Sequence, residues 1–192
     1  MSMTAMGIGL TQTAGKPDGS GGFVAIPIAE VAQYTQAPLG FTHIQPASSQ
    51  MTAVDTDVSF QSGDREWIYV YNAMATPLTQ GMVCIRFGVG VVGDAIVTAS
   101  IAAAPINASA IIGVAQHEIP AGFCGFILRK GAGNVTMEAG ATPLVALLSG
   151  TANDGQAQSA SGGGAVVSNG FGYALEATAA PGLVKAYLGC NG

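Results

Sequence analysis

The hydrophobic positions of this chain fall in short runs that are bounded by glycine, proline or clusters of polar residues. Residues 66–72 form the clearest run, because aromatic and aliphatic side chains alternate along it. A period of two, carried by residue types that favour extended backbone, predicts a β-strand.

Three further groups of runs have the same character: residues 82–87, residues 111–115 with 125–128, and residues 172–175 with 184–188. The 28 glycines and 9 prolines interrupt the chain too often for long helices. We therefore predict an all-β fold, a barrel or a sandwich of short strands joined by tight turns.

The last two pairs of runs resemble each other. Residues 113–128 and residues 172–188 both pass from an apolar run that begins with glycine, through a polar turn with glycine or proline, into a second apolar run. Two explanations are open at this stage: an internal repeat, or the pattern that unrelated β-hairpins share.

Residues 1–62 differ from the rest, because they contain short apolar islands between polar clusters but no sustained period. A segment of this length without regular structure is uncommon inside a compact domain. The sequence therefore predicts two parts: an irregular arm over residues 1–62 that lies on another surface, and a β domain over residues 63–192 that forms the oligomer.

Charge is scarce in this chain. The 192 residues include 6 Lys and Arg and 11 Asp and Glu, or 9% charged, while 49% of residues are hydrophobic. Ordinary soluble domains carry about 25% charged residues, so we expect much of the surface to lie against other protein. The net charge of −5 disfavours nucleic acid and anionic membranes as partners.

Membrane insertion and export are not indicated by the sequence. The most apolar stretch, residues 101–115, is interrupted by Pro105 and Asn107 and is shorter than the roughly 20 residues that a spanning helix needs. The first residues lack the charged and apolar regions of a signal peptide. We expect a reducing compartment, in which Cys84, Cys124 and Cys190 are buried free thiols.

Motifs that would indicate chemistry are incomplete. Residues 88–93 match the glycine pattern of dinucleotide sites, but the following residues predict a strand where that site requires a helix. Residues 55–66 imitate a calcium loop, but Phe60 stands where its glycine is required. His43 and His117 have no catalytic or metal-binding spacing. We predict no enzymatic activity, no metal and no cofactor.

The aromatic side chains Trp67, Tyr69 and Tyr71 have two possible roles. Such a stripe most often belongs to a core or a subunit interface, and this is our prediction. The alternative is a stacking platform for sugars or bases.

Several segments of residues 66–189 resemble small β-rich decoration (cement) proteins of tailed-bacteriophage capsids. The resemblance lies in residues 80–83 after 69–72, in residues 112–116 followed by 119–127, and in residues 171–176 followed by 184–189. It implies a structural virion protein that is made in the host cytoplasm, binds the major capsid protein on the capsid exterior and stabilises the shell. It also implies self-association, with a homotrimer favoured and a dimer as the alternative.

Residues 1–62 have no counterpart in this resemblance, so their role is inferred from physical grounds. Large apolar side chains supply most of the binding energy at interfaces, and we predict that Phe23, Ile26, Ile28 and Phe41 contact the shell. The alternative function is a head-fibre or adhesin module that binds cell-surface glycans through exposed aromatic residues such as Trp67.

Overall fold

Every regular element of the described chain is a β-strand, as predicted. The computed structural model describes residues 15–17, 23–25, 28–45, 64–87, 96–99, 111–150, 153–160 and 170–190. The strands are β1 (Gly15–Pro17), β2 (Phe23–Ala25), β3 (Thr42–Gln45), β4 (Arg65–Asn72), β5 (Val83–Arg86), β6 (Ile96–Thr98), β7 (Ile111–Val114), β8 (Cys124–Met137), β9 (Ala146–Ser149), β10 (Ala157–Ser159), β11 (Gly172–Ala174) and β12 (Gly182–Gly189). The predicted runs from residue 66 onward correspond to β4, β5, β7, the first part of β8, β11 and β12.

Five strands close into a barrel, which we call the first barrel. Its order is β4, β8, β7, β5 and β6, and β6 pairs in parallel with β4 to complete the ring. The interior is apolar and includes Ile68, Val70, Ile112 and Ile127. Asn72 is also buried, and its amide donates hydrogen bonds to three carbonyl oxygens of the adjoining loops, which satisfies the polar group.

Strand β8 and the four strands that follow it form a second five-membered ring, which we call the second barrel. Its order is β8, β12, β11, β9 and β10, and the single parallel pair Ala157 with Met137 returns β10 to β8. Strand β8 is 14 residues long, so its first half belongs to the first barrel and its second half to the second.

The two barrels have the same strand order and matching registers. Cys84 lies opposite Gly113 in the first barrel, and Leu147 lies opposite Gly172 in the second. The loop bridges also correspond, because Leu78 pairs with Ile119 while Ala141 pairs with Thr178. Residues 113–128 and 172–188 occupy equivalent places, so the structure favours an internal repeat over a shared hairpin pattern.

Residues 28–45, which we call the strap, differ from the expected irregular arm. Strand β3 pairs with β4 in an antiparallel register from Thr42 with Ile68 to Gln45 with Arg65. Earlier in the strap, Ala32 forms a backbone bridge with Cys124 on β8. The strap thus satisfies backbone groups of both strands and belongs structurally to the β domain. Strands β1 and β2 form a separate two-stranded sheet.

Candidate interaction surface

The four predicted contact residues lie in or before the strap. Phe23 begins β2, but its side chain and the whole of Ile26 lie outside the described part of the chain. Ile28 and Phe41 are partly buried and pack against the hydrophobic cluster on the outside of the first barrel. Both side chains therefore take part in contacts within the chain, and their contact with a shell stays a prediction.

The strap covers an aromatic pair on the outer face of the first barrel. The rings of Tyr69 and Phe126 lie 5.0 Å apart, and His43 of the strap lies 6.3 Å from Phe126. The backbone N–H of Gln36 donates to the Tyr69 hydroxyl at 3.3 Å. Burial raises the pKa of the Tyr69 hydroxyl above its ordinary value. This face is already occupied by the chain itself.

The aromatic stripe of β4 is mainly core, as predicted. Trp67 is 5% exposed and Tyr69 is 1% exposed, while Tyr71 is partly buried and packs against the same cluster. The Trp67 indole N–H donates to the Gln45 side chain at 3.1 Å. The alternative in which Trp67 stacks on a glycan is therefore wrong, because the strap and the barrel leave almost none of its ring accessible.

The cysteine prediction is confirmed. Cys84, Cys124 and Cys190 are free and buried. Burial raises the pKa of Cys84 and of Cys190 to about 12, from 9.0, because a thiolate would lose its solvation. These thiols act as small hydrophobic side chains.

Ionisable groups are dispersed over the described residues. No cluster of three or more His, Cys, Asp or Glu suited to a metal ion occurs in that part of the chain. His117 is partly buried and burial lowers its pKa, while Glu66 forms an ion pair with Arg129 at 3.0 Å. The glycine-rich residues 88–93 and the acidic residues 55 and 57 lie outside the described ranges. No helix in the described ranges has the length and apolarity needed to cross a membrane.

Exposed apolar side chains concentrate on the second barrel. Among the described residues, the large hydrophobic side chains that are exposed are Tyr34, Phe87, Leu144, Tyr173, Leu175 and Leu183. Four of these six belong to the second barrel and its loops. Leu144 is 77% exposed. Its backbone has φ +61°, a conformation that costs a non-glycine residue about 1–3 kcal/mol.

A stacked aromatic pair is also part of the second barrel. Tyr173 on β11 is opposite Tyr187 on β12, with ring centroids 5.5 Å apart and an interplanar angle of 18°. A shallow groove of about 310 Å³ runs along the pair, and its lining includes Lys130 together with Gly170, Gly172 and Gly189. Sequence analysis missed this surface, although the polar and apolar alternation of residues 183–188 already placed Tyr187 opposite the core face.

Only the comparison with solved structures finds a protein that is similar to this chain. No protein-family model matches the chain, and no curated protein matches it. Among solved structures, the chain is similar to the N base of the head fiber protein gp8.5 of bacteriophage phi29. The similarity covers 64% of this chain and 93% of that chain, with 16% sequence identity and a TM-score of 0.44. Overlap at this level carries no functional conclusion.

Proposed function

We propose that this protein is a non-enzymatic structural component of a tailed-phage head, which binds the outer surface of the capsid shell and stabilises it as a homo-oligomer. The phage assignment rests on the sequence resemblance of residues 66–189 to capsid decoration proteins. Shell binding rests on the same resemblance. The self-association in this proposal rests on one structural observation: an apolar face on the second barrel that the strap does not cover. Such faces on soluble proteins are typical of interaction sites.

The chemistry of the described surface supports binding by shape and apolar contact. The chain has 17 formally charged residues in 192, so little of an interface would require desolvation of ions. Many copies bound to one shell would also act together, so modest affinity at each site is sufficient.

Co-sedimentation with capsid shells of the phage that encodes this chain tests the proposal. We expect the purified protein to move with the shells in a density gradient and to raise the temperature at which they disrupt. Tail-free shells already saturated with the protein serve as the control for specific sites. Failure to co-sediment at tens of micromolar, with the protein folded, would contradict a capsid-binding role.

A glycan-binding head-fibre module is the second candidate, and the stacked pair Tyr173 and Tyr187 favours it. Aromatic rings beside a shallow groove are suited to the apolar face of a sugar ring. A glycan array tests this function with the wild-type chain and with Tyr187→Ala, while Trp67→Phe serves as a control at a buried aromatic position. If the Tyr187→Ala variant still binds the array, the pair is excluded as the glycan-binding site.

A further inference from the structure

The first barrel contacts the second through one surface, and the internal repeat shows which surface of the second barrel is equivalent to it. Three hydrogen bonds with backbone donors connect the two barrels: Thr136 N–H to Gly81 O at 2.9 Å, Val83 N–H to Gly155 O at 2.7 Å, and Asn134 N–H to the Gln116 side-chain oxygen at 2.8 Å. On the first barrel, the contact therefore involves Gly81, Val83 and Gln116.

Leu128 completes this surface, together with Val114, which lies opposite it. A Cβ atom at Gly133 would come within 2.4 Å of the Leu128 side chain, which shows how closely the second half of β8 packs there. Val83, Val114 and Leu128 are 0–1% exposed. The outer face of the first barrel is thus fully covered at these positions.

The equivalent positions of the second barrel follow from the matching registers. Val114 opposite Leu128 corresponds to Tyr173 opposite Tyr187. The turn residues correspond as well, since the Gly81 N–H donates to Ala115 O and the Leu144 N–H donates to Ala174 O. Both turn residues have positive φ, +87° at Gly81 and +61° at Leu144. By the same correspondence between the two barrels, Val83 is equivalent to Ala146 and Gln116 is equivalent to Leu175.

These five residues of the second barrel, Leu144, Ala146, Tyr173, Leu175 and Tyr187, form what we call the open face. Leu144, Tyr173 and Leu175 are exposed, and the other two are partly exposed. In the first barrel the matching face carries a barrel of the same fold. In the second barrel no barrel formed by the described residues covers it, so the repeat ends there on an apolar surface, whereas terminal repeats that stay soluble as monomers present a polar one.

We infer that the open face is the self-association surface of this protein and that its occupant is a second copy of the chain. The inference rests on the proposed homo-oligomeric function and gives that function a location. A copy of the chain fits because the matching face of the first barrel already accepts a domain of this fold. The charged residues next to Leu175 are Lys185 and Glu176, which have opposite signs. Two copies that meet at this face are therefore not repelled by a cluster of like charges.

Replacement of exposed apolar side chains by polar ones tests the inference. The double variant Leu144→Asn and Leu175→Gln removes two exposed leucines from the open face, and asparagine tolerates the positive φ at position 144. We expect the wild type to be oligomeric at 10 µM (roughly the range of moderate affinities) and the double variant to associate at least tenfold more weakly, by sedimentation velocity. Tyr34→Gln removes another exposed aromatic side chain outside the face and is the matched control, with unchanged association expected.

A thiol-protection measurement keeps the test valid if the double variant folds poorly. In Leu144→Cys, the new thiol should react at least tenfold more slowly with a maleimide in the oligomer than in dilute solution. In Tyr34→Cys, the two rates should be equal. The native thiols are buried and should react slowly in both states. Equal reactivity at position 144 in both states would overturn the inference.

Shell co-sedimentation, measured in parallel, separates this inference from the proposed function. Wild-type protein that is monomeric at every concentration but still binds shells overturns self-association through the open face and leaves shell binding intact. If the double variant is monomeric and still binds shells, the open face is confirmed as the site between copies. If the double variant keeps its oligomeric state but loses shell or glycan binding, the occupant is that partner and the inference fails.

Discussion

At the scale of single residues, the two barrels have different side chains at an equivalent position where the backbone has the same conformation. The turn before β5 has Gly81 and the equivalent turn before β9 has Leu144, both with positive φ. Glycine is required in the first barrel because a Cβ atom at position 81 would lie 2.4 Å from the Thr136 hydroxyl and 2.8 Å from its backbone nitrogen. At Leu144, no barrel formed by the described strands imposes this requirement.

Gly81→Ala should therefore destabilise the protein by about 2–4 kcal/mol, from backbone strain and steric overlap together. The free energy of unfolding from urea denaturation measures the effect. Gly189→Ala is the matched control, because its added Cβ meets no described atom within 4 Å apart from its chain neighbours, and the expected change is within about 0.5 kcal/mol. Equal effects of the two substitutions would show that close packing at Gly81 is unimportant.

The buried thiols predict a loss of stability in alkali. The pKa of Cys84 and of Cys190 is raised by burial from 9.0 to about 12. The unfolded chain ionises these thiols above pH 9 while the folded chain does not, so the contribution is fully present below pH 9 and is lost as the pH rises towards 12. Cys84→Ala with Cys190→Ala should flatten the decline in the unfolding free energy between pH 8.5 and 10.5 (about one unit either side of the thiol range). An unchanged slope would contradict the argument.

At the scale of elements, the strap shows why sequence patterning underestimated the β domain. Residues 28–41 have no periodicity because they contact the barrel surface through scattered positions such as Ala32, Gln36 and Phe41. The strands themselves were predictable from local alternation and glycine-rich turns. The covering of Tyr69 by the strap was not, because the contact joins residues 33 positions apart.

Two deletions separate the strap from the segment before it. Removal of residues 1–45 should lower the melting temperature by more than about 10 °C, since it exposes Tyr69 and Phe126 and removes β3. Removal of residues 1–27 should change the melting temperature by less than about 3 °C, since the strap remains. Thermal unfolding followed by circular dichroism gives both values. Similar melting temperatures for the two deletions would contradict a structural role of the strap.

At the scale of the whole molecule, one strand ties the two barrels together. Strand β8 supplies a wall to each barrel, and the Gln116 side chain, which belongs to the first barrel, accepts from Asn134 N–H and donates to Asn134 O in the second barrel. Neither barrel is closed without β8. Loss of one barrel therefore opens the ring of the other, and this predicts cooperative unfolding.

The protein should accordingly unfold in a single transition. Ile112→Ala in the first barrel and Leu147→Ala in the second should each cost about 2–5 kcal/mol and shift the same transition. Differential scanning calorimetry and fluorescence of Trp67 provide two independent probes. Two separable transitions, each sensitive to only one of these substitutions, would contradict the coupling through β8.

The sequence by itself determined the strands, the turns and the all-β class, because alternation and turn chemistry act between near neighbours along the chain. It also determined the burial of the aromatic stripe and of the cysteines in broad terms, since these side chains are costly to leave in water. Only the tertiary structure decided that the strap closes one barrel face, that the hairpin likeness is a repeat of whole barrels, and that Leu144, Tyr173 and Leu175 are left exposed. These features depend on contacts between distant segments, whose pairing no local pattern specifies.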